Sequence, residues 1–301
     1  MYVLQIHTGE DGMLHHILIG LAGQIWGAFW LFLLVFAVEQ LLPIERLIDG
    51  RGLFLNCTVG ISFVFIQNLT LLVVGSLLLH VPHRHFSILA ISDGGHLAKA
   101  FGLSFGWLAI RDFLYYWLHR LQHGSKWLWA EHALHHADEH MNITTSLRHH
   151  WLETPLQFVF VEGPLLILLR PPIITMGLVA WGLSLVQFTN HMNFRFGLGR
   201  FSWLIATPQT HRIHHSRLDE HVDKNFAGFF PLWDVIFGTY YAPQKGEFPV
   251  TGLSSGERVR TIGQALFLPF IMWKELWTAR SAAKAPRVIA QTATEAPIPP
   301  I

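Results

Sequence analysis

Three short segments of the 301-residue chain concentrate histidine: HRLQH (His119, His123), HALHH (His132, His135, His136) and HRIHH (His211, His214, His215). An α-helix turns about 100° per residue, so positions i, i+3 and i+4 share one face. On helices, each segment aims its imidazoles in a single direction. Neutral imidazole is a common transition-metal ligand, with one ring nitrogen for the ion and the other for the protein. A lone histidine on an apolar face is commonly a satisfied core residue, whereas three clusters with helical spacing specify a shared metal site. Eight imidazoles supply four ligands to each of two ions. His191 and His150 are candidates for a fifth ligand each, leaving a sixth octahedral position where dioxygen could bind. A structural zinc would need four ligands in all and no open position. Di-iron bundles with glutamate-rich ligand sets use Glu-x-x-His; no such pair occurs here, although Glu131 and Glu139 flank the second cluster, so the expected site is all imidazole. His140, His149 and His221 lie outside the helical spacing and are weaker candidates.

Asp112 lies seven residues before His119, on the same face of the same helix. Its carboxylate is expected either to accept the second ring N–H of a ligand histidine, fixing its tautomer, or to pair with Arg111 or Arg148. Tyr115 and Tyr116 are expected to pack. Asn142, Arg148, Asp223 and Asn225 are read either as supports for the ligands or as caps.

The elements that must position these residues are apolar helices. The chain is 51% hydrophobic and 14% charged, against about 25% charged in ordinary soluble domains, and its mean hydropathy is +0.35. Spans are expected over 14–42, 53–79 and 97–118, each long enough for a hydrocarbon core of ~30 Å. Trp26 and Trp30 are expected to face neighbouring helices, and Gln67 and Asn68 to make a helix–helix hydrogen bond. Two shorter apolar runs, 155–169 and 173–189, read as a membrane hairpin around Arg170-Pro171-Pro172. Between the spans, 81–95 is a loop, and His80, His83, His85 and His96 around it are not ligands. Gly124 ends one helix and Ser125 caps the next; Thr207-Pro208 starts the helix bearing the third cluster. The fold class is thus all-α, with multi-pass membrane helices and a cytoplasmic helical cap carrying a dimetal site. Residues 1–96 form the N-terminal membrane helices, 97–260 the histidine-box domain, 261–280 an interfacial helix and 281–301 a disordered tail.

Arg46 and Arg51 follow the first span, and no Lys or Arg precedes it, which puts that loop in the cytoplasm. Counting onward brings all three clusters to the cytoplasmic side, provided 155–189 is a hairpin; a single crossing would strand HRIHH on the other side. The formal net charge of +1 implies no nucleic-acid partner. Cys57 is the only cysteine, which excludes an intrachain disulfide and a cysteine-ligated cluster. No dinucleotide or P-loop motif occurs.

With DFLYYWLHR, TSLRHHWLE, QFTNHMN, TPQTHRIHHS and DKNFAGFFPLWDVIFGTY around the boxes, residues 107–242 resemble the fatty acid hydroxylase/sterol desaturase superfamily of integral-membrane di-iron enzymes. The resemblance implies two iron ions held by the box histidines, with the position of His191 counted among them. The position of His150 is also histidine in many members, usually followed by proline, where this chain has Trp151. The first box has three intervening residues, similar to the sterol oxidase-like branch rather than to fatty acid 2-hydroxylases. The implied activity is O2-dependent hydroxylation or desaturation of a lipid such as a sterol or fatty acyl chain. Electrons would come from a separate partner: a reductase, cytochrome or ferredoxin. The alternative is a non-enzymatic metal-binding or transport protein, which would line its spans with acidic residues and histidines at mid-membrane.

Overall fold

The computed structural model describes residues 10–41, 43–45, 49–80, 89–90, 96–170 and 173–284. In order, these form α1 (Glu10–Leu41), α2 (Gly50–His80), β1 (Leu89–Ala90), α3 (Leu97–Gly124), α4 (Lys126–His136), α5 (Glu153–Gln157), α6 (Gly163–Leu168), β2 (Leu169–Arg170), α7 (Ile173–Asn190), α8 (Pro208–His214), α9 (Leu232–Phe237) and α10 (Ile262–Lys284). Short 3-10 turns intervene, and β1 pairs with β2 in parallel over two residues. The architecture is otherwise helical.

Among the described residues one stretch, Gly50–Thr70, is long and apolar enough to cross a bilayer, while Ile25–Leu41 is apolar but shorter. Two of the other expected spans, 97–118 and 155–169, differ from uninterrupted apolar helices for definable reasons. The α3 helix carries Lys99, Arg111, Asp112 and Arg120. The 155–169 run forms two short helices, α5 and α6, joined by a π-helical turn at Phe158–Glu162. Pro164 has no N–H to give the carbonyl four residues back, and the Gly163 N–H instead reaches Phe158 O, five residues back. Gly163 is required there, because a Cβ would stand 2.8 Å from that carbonyl oxygen.

Trp26 and Trp30 are 62% and 54% exposed, so they face outward rather than toward neighbouring helices. Val35, which α1 buries against Ile143 and Phe188, lies nine residues from Trp26, two and a half helical turns and so the opposite face. Asn68 hydrogen-bonds Val64 O within its own helix (2.8 Å), not a neighbouring one.

The α4 helix is the hub. Ala133, Leu134 and Ala137 pack against Leu55 and Val59 of α2 and Ala265 and Leu268 of α10, which leaves its histidine face toward α3. One residue, Ser125, separates α3 from α4. It is extended, its N–H bonds Leu121 O, and its side chain makes no cap hydrogen bond, so the backbone alone performs the expected break. Thr207 does cap α8, in a reciprocal box with Thr210. The α10 helix begins at the expected place but runs on to Lys284, through the first residues of the expected tail. The rest of that tail, His83, His85 and Arg46 lie outside the described residues.

Candidate metal centre

Helices α3, α4, α7 and α8 bring nine of the ten candidate histidines together. Five ligand atoms, one each from His119, His123, His132, His136 and His214, lie within 4.8 Å of one another; a second group comprises His135, His191, His211 and His215. The division is not the four-and-four expected from counting boxes. The HALHH box supplies both groups, because His132 and His136 (i, i+4) share a line along α4 and His135 sits beside it. The HRIHH box is split likewise, His214 to the first group and His211 and His215 to the second. The groups adjoin: His136 stacks on His215 at 4.4 Å between ring centroids.

The contacts inside each group are nitrogen to nitrogen. His119 Nε2 is 3.0 Å from His132 Nε2, and His123 Nε2 is 3.2 Å from His136 Nε2. In the second group His191 Nε2 lies 3.2 Å from His135 Nε2 and 3.0 Å from His211 Nε2. Several of these atoms have a determined proton state. His119 Nδ1 lies 2.7 Å from the Phe226 carbonyl, His191 Nδ1 2.7 Å from that of Gln187, and His214 Nδ1 2.9 Å from that of Lys224. A carbonyl only accepts, so these Nδ1 atoms carry the protons and the Nε2 atoms are bare lone pairs. His214 Nε2 is buried with no hydrogen-bond partner among the described residues. Lone pairs converging in a buried space repel one another unless a cation lies between them. Two nitrogens at right angles on one ion, each about 2.1 Å from it, stand roughly 3.0 Å apart, which is the spacing seen. The donor set therefore fits transition-metal ions.

Burial, and then the neighbouring rings, hold His119, His135, His136, His211, His214 and His215 well below the usual histidine range. His123 is pushed down to about 4 by burial, against the opposing pull of Asp223. Neutral rings are the ligand-competent form. Asp223 stands 3.5 Å from His123 Nδ1.

His150 joins neither group. Its Nε2 pairs with Leu266 O at 3.1 Å, a tie to α10. Its neighbour His149 stacks flat on His135 at 4.1 Å. The bend at 148–152 is not helical, so spacing could not tell which of the two faces the centre. Asp112 reaches no histidine and pairs with neither Arg111 nor Arg148. Its two oxygens accept the Phe229 and Phe230 amides at 2.8 and 2.7 Å. It thus anchors the loop whose Phe226 carbonyl orients His119. Arg111 is engaged by Glu162 (2.7 Å). Tyr116 is fully buried and hydrogen-bonds Thr239 (2.9 Å), while Tyr115 rests against the His119 ring. Asn142 caps a 3-10 turn, and Asn225 ties Thr210 O to the Tyr241 backbone. His221 hydrogen-bonds Ser216 and stands 3.2 Å from Glu247, away from the centre, and His140 is exposed.

Sequence spacing missed a buried acidic pair beneath the first group. Glu131, Glu153 and Gln122 are each at most 1% exposed. The Gln122 amide donates to Glu131 (3.0 Å) and Glu153 (2.9 Å). Glu153 Oε2 is 3.5 Å from His132 Nδ1. Glu153 opens α5 beyond the irregular bend, so no helical periodicity links it to a box.

Residues 104–239 match the family model for fatty acid hydroxylase. An alkylglycerol monooxygenase of Danio rerio is 33% identical over 186 residues, covering 61% of this chain and 41% of its own length. The Homo sapiens alkylglycerol monooxygenase is 38% identical over 143 residues, 48% of this chain and 31% of its own. An ornithine lipid hydroxylase of Rhizobium tropici is 30% identical over 140 residues, 46% of this chain and 41% of its own. The chain thus spans well under half the length of these relatives. No solved structure matches it significantly. All nine histidines of the two groups lie within residues 104–239, the segment of the chain that matches the fatty acid hydroxylase family.

Proposed function

We propose that the chain is a membrane-embedded di-iron oxygenase that hydroxylates the alkyl part of a membrane lipid. The observation that carries this reading is the pair of adjacent, buried, all-imidazole groups, one of five and one of four ligand atoms. Nine ligands on two octahedral ions leave three positions open. Two iron ions held there would supply the activation of O2 needed to break an unactivated C–H bond.

The rest of the chain binds, orients and shields. Phe226 and Trp129 pack on the histidines and keep bulk water out. The carbonyls of Phe226, Gln187 and Lys224 hold three ring protons away from the ions. Exposed Trp26, Phe29, Phe54, Phe65, Phe101 and Phe105 cover α1, α2 and α3. A patch of that extent is rare on a soluble monomer and suits lipid contact. The α5–α6 path of 16 residues would be about 24 Å long at 1.5 Å per residue, short of a ~30 Å core. A re-entrant hairpin with α7 keeps His191 and α8 on the side of α4, which we take as cytoplasmic. The α10 helix, with exposed Phe267 and Trp277 beside Lys274 and Arg280, lies along the interface. Electrons come from a separate redox partner.

The relatives' names point to glycerol ether lipids and ornithine lipids as the first substrate classes to test. Lipid mass spectrometry of a host with and without the protein, under oxygen, should show one class gaining the mass of one oxygen atom. His135→Ala should abolish the gain. An unchanged lipidome in a host that supplies reductant and these lipids overturns the reading.

A further inference from the structure

The two histidine groups differ in what stands behind their rings. In the second group, His191 is backed by a neutral carbonyl, and the Nδ1 atoms of His135, His211 and His215 have no hydrogen-bond partner among the described residues. In the first group, two rings face carboxylates: His123 faces Asp223 and His132 faces Glu153, each at 3.5 Å. Asp223 is 63% exposed, whereas Glu153 is 1% exposed on its side chain and His132 is fully buried. Charge acts far more strongly where water cannot screen it.

The tautomer of His132 follows from its two neighbours. Its Nε2 meets His119 Nε2, a bare lone pair. Without a second influence, His132 would place its proton on Nε2 and donate it to His119, and that ring edge would be lost as a ligand. The Glu153 oxygen opposes this, because an Nδ1 lone pair facing a buried carboxylate is repulsive and an Nδ1–H is attracted. Glu153 is itself held in place, by Gln122 on one oxygen and by Gln157 (3.0 Å) on the other. His132 Nδ1, like its counterparts in the second group, makes no hydrogen bond among the described residues; what distinguishes it is the buried carboxylate at 3.5 Å, which acts as a directed charge.

We propose that Glu153 is a positioning residue acting through His132: it fixes the Nδ1–H tautomer, frees Nε2 for a metal ion, and makes the five-histidine group the more electron-donating and tighter of two unequal metal sites. This rests on the two-metal reading above. A carboxylate behind a ligand imidazole raises its basicity, and removing such a partner typically costs about 10–100-fold in metal affinity. The four-histidine group is then the weaker site.

The test is an anaerobic titration of the full-length protein in detergent with isotopically enriched ferrous iron, against a competing chelator and followed by Mössbauer spectroscopy. The unaltered protein should bind two ions in two steps and show two quadrupole doublets. Glu153→Gln keeps the shape and an acceptor oxygen for Gln122 but removes the charge. It should weaken the tighter step about tenfold or more and shift one doublet, leaving the other step and doublet unchanged. Asp223→Asn provides a variant at an exposed residue with positive φ, +58°, which asparagine tolerates. It should move the same step and doublet by less. If Glu153→Gln folds and leaves both steps and doublets unaltered, or if either variant moves the weaker step instead, the proposal is overturned. If Glu153→Gln does not fold, Glu153→Asp takes its place: it keeps the charge but withdraws it from His132, and it should weaken the same step, an unaltered step overturning the proposal. Failure of the unaltered protein to bind two ions would overturn the two-metal reading itself, a distinguishable result.

Discussion

His135 on α4 and His191 just beyond α7 meet Nε2 to Nε2 at 3.2 Å, although 56 residues separate them in the chain. His150, by contrast, gives its Nε2 to the Leu266 carbonyl on α10. His191→Ala should therefore empty the four-histidine group, and elemental analysis should find about one metal ion per chain fewer. His150→Ala should keep the full metal content and lose stability by about 1–3 kcal/mol, since both ring hydrogen bonds, to Leu266 O and from the Leu152 amide, are removed. Equal metal loss in both variants would refute this assignment.

Asp112 tests whether an acidic residue on the ligand helix serves the metal or the loop. Its two oxygens hold consecutive amides of Phe229 and Phe230. Asp112→Asn replaces one acceptor with an N–H that faces an N–H. The expected result is a stability loss of about 1–3 kcal/mol, read by thermal unfolding, with both metal ions retained. Loss of an ion with unchanged stability would mean that the carboxylate acts on a ligand after all.

Arg148 is 2% exposed and sits behind the second box. It donates to Leu134 O (3.0 Å), Asn56 Oδ1 (2.9 Å) and Val259 O (2.9 Å), joining α4, α2 and the approach to α10. The Asn56 amide passes on to Asp138 at 2.8 Å, and the Arg148 charge helps hold Asp138 below the usual carboxylate range despite its burial. Arg148→Met takes the donor from three buried oxygens, those of Leu134, Asn56 and Val259, while Asp138 keeps its bonds from Asn56, Thr145 and the His140 amide. Leaving a buried acceptor unpaired costs about 1–3 kcal/mol, so the melting temperature should drop steeply. A melting temperature within a degree or two of the unaltered protein's would contradict this.

The sequence by itself determined the candidate ligand set: helical spacing within HRLQH, HALHH and HRIHH gathers the imidazoles of each segment, because that periodicity is a local property of the backbone. It also determined the helix starts at Lys126 and Pro208 and the apolar character of α1 and α2. Only the tertiary structure decided how the boxes divide into five and four, since that depends on how α4 and α8 are rotated against α3 and α7. It likewise turned His150 outward to α10, gave Asp112 to a loop more than a hundred residues away, and brought Glu153 under His132. Each of those contacts crosses an irregular segment, and no periodicity carries a side chain's direction through such a bend. Whether a helix face meets lipid or protein, as at Trp26, was set the same way, by which neighbours packed against the opposite side.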